Sequence, residues 1–406
     1  MIDKQKFPDN FILGSSTSAF QIEGEGRTEW LGFTGIDGTP LKNGIEHYKK
    51  YREDLEYILY LGNAYRFSPD WSKLQEKPFD RLNAQACSHY KEILKVLKNN
   101  DKKVLLVLNH FSNPLWMYQR GCWTNGASSD FFVDYARKVL DAFSEYIDIV
   151  NTFNEPNAYV NLAYLFRTFQ PKKINLILRK KALANMREAH RRTYFYIKEN
   201  YPSILVGISH ANIIFQPVKP CGPVCAGIKK FFDIFQQENV HEFFLNNGLL
   251  ADYIGFSYYG RILLEKFPLV AYEERGRKRL DELAITHDDM WELYPEGIYD
   301  AIRFFYEKYK KPLLITENGT CTDDDSLRKI NLYNHLKYIG RACDENIPVL
   351  GYFHWSTFDN FELAHGPSRR FGLTSVNFKS GNYERKIKES GHYYHKVIAD
   401  NCLNKP

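Results

Sequence analysis

Short runs of β-branched and aromatic residues recur along the chain, each followed by a longer stretch in which apolar residues return every three or four positions. Eight such runs stand at 11–15, 64–68, 103–110, 149–155, 205–211, 253–259, 313–317 and 349–355. The intervals between them are long enough for a helical crossover to a parallel neighbour. Helical periodicity covers 47–60, 83–99, 131–147, 180–200, 298–310 and 327–345, with stops at Gly62 and at Tyr201-Pro202. Eight strand-helix units predict an α/β fold, a single (β/α)8 TIM barrel with loop insertions, occupying 1–406 as one domain. The 212–252 and 260–295 segments read as the insertions, and Pro217-Val-Lys-Pro220 with Pro223 marks the first as a loop.

Composition narrows this little. With 44% apolar and 25% charged residues the 406-residue chain is ordinary for a soluble globular protein, which excludes a disordered or collagen-like one. No run reaches the roughly 18 apolar residues that span a bilayer, and Met1-Ile-Asp-Lys-Gln-Lys6 does not open a secretory leader, so a cytoplasmic protein is expected. The net charge of +5 gives no reason to expect nucleic acid as a partner, nor does the sequence suggest a membrane. A basic stretch, Lys172, Lys173, Arg179, Lys180, Lys181, Arg187, Arg191 and Arg192, reads as solvated helix faces. Seven scattered cysteines do not form a disulfide framework and are expected reduced; Cys221 and Cys225 lack the two further ligands that zinc would need. Zinc-protease, P-loop and dinucleotide motifs are absent, so no metal or cofactor is expected. An aromatic content of 16% suits a ligand with flat apolar faces and polar edges, such as a sugar, although a large core accounts for the same composition.

The chemistry gathers at the strand ends, where a (β/α)8 barrel places its active site. Apolar strand bodies run into His110, Asn154, Glu155, His210, Tyr258, Tyr259, Glu317 and Trp355. Glu155 ends the fourth strand and Glu317 the seventh, so both carboxylates are expected in one barrel mouth. Glycoside hydrolysis needs such a pair, about 5 to 5.5 Å apart for a covalent retaining route and about 6.5 to 9.5 Å if a water must fit between. The sequence leaves both spacings open.

Several blocks in order, Phe11-Ile-Leu-Gly-Ser-Ser-Thr-Ser-Ala-Phe-Gln21-Ile-Glu23-Gly24, Asn63-Ala-Tyr-Arg66-Phe-Ser68, Asn109-His110-Phe111, Thr152-Phe-Asn154-Glu155-Pro156, Ser257-Tyr-Tyr259, Ile315-Thr-Glu317-Asn-Gly319 and Gly351-Tyr-Phe-His-Trp355-Ser-Thr-Phe-Asp-Asn-Phe-Glu362, resemble glycoside hydrolase family 1, the retaining β-glucosidases and β-galactosidases. The resemblance spans nearly the whole chain. It implies a retaining β-glycosidase acting on small β-glycosides or oligosaccharides, with Glu155 as general acid/base, Glu317 as nucleophile and Asn154 on the sugar 2-hydroxyl. Arg66 and Tyr259 are then suited to hold Glu317 charged, while Gln21, His110, Trp355 and Glu362 cradle one hexose.

Leu13 and Glu25 depart from the usual residue classes of the N-terminal block, and three further substitutions depart from the family pattern: Phe111 in place of Trp, Ser257 in place of Asn, and Leu363 where many β-glucosidases have Trp. Phe111 and Leu363 are expected to line the sugar, and leucine lacks the indole donor, so fucosides and galactosides are expected beside glucosides. Glu362, where related phospho-glycosidases carry serine, implies an unphosphorylated sugar. The 30–46 segment is short for the family, and Leu165-Phe-Arg-Thr-Phe-Gln-Pro-Lys-Lys173 replaces a glycine-rich stretch, both beside the expected site mouth. A weakly active glycan-binding protein on this fold, or a transglycosidase, would share these features.

Overall fold

The computed structural model describes residues 4–24, 26–41, 44–217, 223–236, 242–264 and 274–406. Eight strands, β1 (Ile12–Ser16), β2 (Ala64–Phe67), β3 (Lys103–Asn109), β4 (Ile149–Asn154), β5 (Leu205–Ala211), β6 (Ile254–Ser257), β7 (Leu313–Asn318) and β8 (Val349–Trp355), pair in parallel and in sequence order, and β8 closes on β1. Outside them run α1 (His47–Tyr60), α2 (Ala84–Asn99), α3 (Ser128–Phe143), α4 (Pro156–Tyr164), α5 (Leu176–Asn200), α6 (Pro223–Gln236), α7 (Glu296–Tyr309), α8 (Asp325–Asp344) and α9 (Glu389–Asp400).

Period-two alternation builds two cores. In β3, Leu105 and Val107 join Ala64, Ile149, Tyr253, Leu314 and Phe353 inside the barrel, while Val104, Leu106 and Leu108 face the helices and join the larger outer core. The barrel is thus packed shut below its mouth, which leaves the strand ends to carry polar groups.

The first insertion contains more structure than the loop expected of it, and part of that structure pairs with the second. Residues Ile214–Pro217 form a strand that pairs in parallel with Arg261–Leu264, and α6 starts at Pro223. Arg179 departs from the expected solvated face: it is buried, with Nε donating to Asn161 Oδ1 at 2.7 Å.

Cys87, Cys122, Cys321, Cys343 and Cys402 are free thiols; Cys221 and the side chain of Cys225 lie outside the described residues. Among the described residues, no helix is long and apolar enough to cross a membrane, and no group of His, Cys, Asp and Glu is placed to hold a metal.

Candidate active site

The two strands that bear the carboxylates each lose regular pairing just before them. Register shifts occur between Asn151 and Asn154 in β4 and between Ile315 and Glu317 in β7. Such irregularities re-aim side chains that strict alternation would send elsewhere. Glu155 follows β4 with φ 41°, in the left-handed region, and α4 begins at Pro156 immediately after it. Beyond β7 the chain must pass tightly against β8: a Cβ on Gly319 would lie 1.9 Å from the carbonyl oxygen of Trp355, so only glycine fits.

Arg66, at the end of β2 and fully buried, ties the two sides together. Its Nη1 donates to Glu317 Oε1 at 2.7 Å and its Nη2 to Asn154 Oδ1 at 2.6 Å. Tyr259 OH donates to Glu317 Oε2 at 3.0 Å. Because Asn154 Oδ1 is taken by Arg66, its amide nitrogen faces His110 Nε2, 3.1 Å away. His110 must then accept there and carry its proton on Nδ1. Burial, and secondarily the charge of Arg66, holds its pKa well below the usual histidine value, so His110 is neutral and its 3.7 Å approach to Glu317 is no ion pair.

Ser257 closes the other side, its hydroxyl donating to Glu155 Oε1. Burial first, then the Glu317 charge, pushes the Glu155 pKa up to about 8, against the opposing effects of Ser257 and Arg66. Burial also raises Glu317, but Arg66, Tyr259 and Asn154 all oppose it. Arg66 and Tyr259, expected to hold Glu317 charged, both donate to it; they restrain the rise of its pKa without cancelling it.

Glu362 forms a third buried carboxyl in the chamber. Its Oε2 accepts from Gln21 Nε2 at 3.2 Å and Trp355 Nε1 at 3.3 Å, which leaves Oε1 to other donors. Burial and the Glu317 charge raise its pKa to about 8, against both those hydrogen bonds. Gln21 is itself fixed by Ser18, which donates to its Oε1 at 2.7 Å, and by Asn360, which accepts at 3.0 Å. The Trp355 ring lies 5.5 Å from that of His110, and Phe371 and Cys321 pack with it. Three buried carboxyls share this chamber with the Arg66 guanidinium; burial raises the pKa of each, and those of Glu155 and Glu362 are pushed up to about 8.

The remaining residues are placed differently. Phe111 (φ 59°) spends its ring on Phe169 and His110, and its carbonyl accepts from Trp30 Nε1 at 2.9 Å. Leu363 (φ 44°) is half-buried against the outer core. Tyr258 turns outward, its hydroxyl donating to the Tyr294 carbonyl at 2.7 Å, and His210 packs on Phe244. Sequence reasoning missed Ser18 and Asn360 as supports of the chamber. It saw Ser257 only as a departure from a pattern, since nothing local to a serine announces a partner 102 residues away.

The Glycosyl hydrolase family 1 profile matches residues 3–248 and 235–403. Beta-glucosidase A of Thermotoga maritima is 28% identical over 451 residues, covering 98% of this chain and 99% of that protein. The β-galactosidase of Sulfolobus acidocaldarius is 29% identical, covering 92% and 91%. In three dimensions the T. maritima family 1 β-glucosidase in complex with isofagomine lactam superposes with a TM-score of 0.88 at 26% identity, over 98% of this chain and 99% of the other. Sequence and fold agree along both chains, and the protein is a glycoside hydrolase that belongs to glycosyl hydrolase family 1.

Proposed function

We propose that the protein hydrolyses terminal β-linked glucosides, with β-galactosides or β-fucosides alongside, by double displacement through a glycosyl-enzyme intermediate. Residues 1–406 act as one catalytic domain in the cytoplasm, without a cofactor. The observation that carries the reading is the unequal treatment of two buried carboxyls: Arg66 and Tyr259 donate to Glu317, while Glu155, which accepts from Ser257, has its pKa pushed up to about 8.

In the first step Glu317 attacks the anomeric carbon as the bond to the aglycone breaks, and Glu155 gives its proton to the departing oxygen. In the second, Glu155, now ionised, takes a proton from water as the water oxygen displaces Glu317. Two displacements retain the configuration. Asn154, whose amide is oriented by Arg66, is the candidate for the 2-hydroxyl, and Gln21, His110, Trp355 and the unshared oxygen of Glu362 cradle the hexose. A buried carboxyl at Glu362 supplies no positive charge to a 6-phosphate, so the sugar is read as unphosphorylated. Leu363, where many relatives carry Trp, supplies no indole donor, and one missing neutral hydrogen bond, about 0.5 to 1.5 kcal/mol, loosens the choice among sugars without abolishing binding.

Proton NMR of a chromogenic aryl β-glucoside during turnover tests the reading. The first free glucose should be the β-anomer, with the α-anomer growing in only by mutarotation. Initial release of the α-anomer overturns the covalent route, and absence of turnover overturns the reading itself.

Ser257 gives a finer check. Its hydrogen bond favours ionised Glu155, so Ser257→Ala should raise that pKa and move the alkaline limb of kcat/KM upward by about one pH unit, the equivalent of about 1.4 kcal/mol. The acid limb should stay in place. An unmoved alkaline limb would show that Ser257 does not tune the acid.

A further inference from the structure

The loop after α4 and the first turns of α5 present a surface that the sugar site does not use. From residue 156 to 187 the chain has no Asp or Glu and seven Lys or Arg. Within that stretch Phe166, Ile174, Leu176 and Ile177 are 66, 70, 60 and 79% exposed, a concentration of large uncovered apolar side chains in one short segment.

The helix arranges them. Asn175 caps α5 by accepting from Leu178 N at 2.9 Å, and from there Leu176, Ile177, Lys180 and Lys181 fall on one outward face, all exposed. Arg179, Ala182, Leu183 and Met186 turn inward and are buried. The outward face therefore opens with two uncovered aliphatic side chains and continues with two lysines, which is not how a merely solvated face is composed. Lys172 and Lys173, both exposed, stand just before it, and Lys172 Nζ lies 5.3 Å over the ring of Phe33. Among the described residues no carboxylate forms an ion pair with Lys173, Lys180 or Lys181.

Uncovered apolar tips beside unneutralised cations fit one partner best. An amphipathic surface of this composition lies in the headgroup region of a bilayer, its apolar side chains at the acyl boundary and its lysines on lipid phosphates, their aliphatic stems buried beside them. A second copy of the chain would bring the same cationic face against itself. Nucleic acid would satisfy the lysines but gain little from the four apolar side chains.

We propose that the segment from Phe166 to Lys181 is a docking surface for an anionic phospholipid bilayer. In sequence the basic stretch could meet phosphate or an anionic membrane, but solvated helix faces explain it more cheaply; the exposed apolar side chains beside it change that balance, and surface docking needs no spanning segment. The surface borders the candidate active site: Phe169, buried in the same loop, meets the ring of Phe111 at 5.5 Å, one residue from His110.

Co-sedimentation of the full chain with vesicles tests this. Vesicles of phosphatidylcholine with phosphatidylserine should bind it, more weakly as salt rises, and phosphatidylcholine alone should bind about tenfold less or not at all. Lys180→Ala with Lys181→Ala should weaken binding about 25-fold, at about fivefold per basic residue near an anionic surface. Ile174→Ser with Ile177→Ser should weaken it as well, and aryl-glucoside turnover should be unchanged in both pairs. The proposal is overturned by absence of binding, by equal binding to both vesicle types, or by binding that neither pair weakens. It is also overturned if the isoleucine pair dissolves a self-associated form while vesicle binding is absent, or if the surface retains nucleic acid in preference to vesicles.

Discussion

Glu317→Gly should lose turnover of every β-glucoside by at least ~10^4-fold, because the step that forms the glycosyl-enzyme has no other carboxylate to make it. The variant also leaves Arg66, fully buried, with Asn154 as its remaining hydrogen-bond partner among the described residues. An uncompensated buried charge costs about 3–5 kcal/mol, so Tm should fall, and circular dichroism must first show that the barrel is intact. A small anion repairs both defects. Azide can enter the space of the missing carboxylate beside Arg66, restore part of the lost Tm, and attack the anomeric carbon of an activated dinitrophenyl β-glucoside. The carbon–nitrogen bond forms as the phenolate leaves, in a single displacement, so the glycosyl azide should have inverted configuration. A variant that keeps more than about one hundredth of wild-type turnover, or a folded one that azide fails to revive, would sink the assignment of Glu317.

Why these residues were legible in sequence is itself physical. A barrel strand reads as a short apolar run because both its faces are buried, and Glu155 and Glu317 stand where such runs stop. The run at 205–211, that at 349–355 and the helix at 47–60 match the observed elements at both ends. The family blocks carried Arg66, Gln21 and Glu362 into the same chamber, where the structure also finds them.

What was not legible depends on partners distant in sequence or on exposure. The strand at Ile214–Pro217 exists through its pairing with Arg261–Leu264, which no local pattern records. Helix α6 was hidden because prolines at 217, 220 and 223 read as loop, although Pro223 lies in the helix. Ile174 and Ile177 lie just before the helical stretch read at 180–200, and only the structure shows them exposed. Ser257 became visible as the donor to Glu155 only once β4 and β6 had been brought to one rim.

Glu155→Ala should divide substrates by their leaving groups. An alkyl β-glucoside, whose alkoxide cannot depart without a proton, should lose about 10^4-fold in kcat/KM, whereas a dinitrophenyl β-glucoside, whose phenolate leaves unaided, should lose less than about tenfold. The comparison must use kcat/KM, since removing Glu155 also takes the base from the second step and lowers kcat for both. The pH profile supplies the independent check. With its pKa raised to about 8, Glu155 is protonated and competent below that pH and loses its proton above it, so wild-type kcat/KM should fall through an alkaline limb near pH 8. Glu362 titrates in the same range, which makes the limb a property of the coupled set, yet for the dinitrophenyl substrate it should flatten in Glu155→Ala. Stability follows the same sign. A folded-state pKa above the unfolded one contributes stability that is full below about pH 4.5 and lost as pH rises through about 8, so Glu155→Gln should gain on wild type in Tm above pH 8. Equal losses on the alkyl and dinitrophenyl substrates, with the alkaline limb unchanged, would mean that Glu155 supports the chamber and that the proton comes from another group.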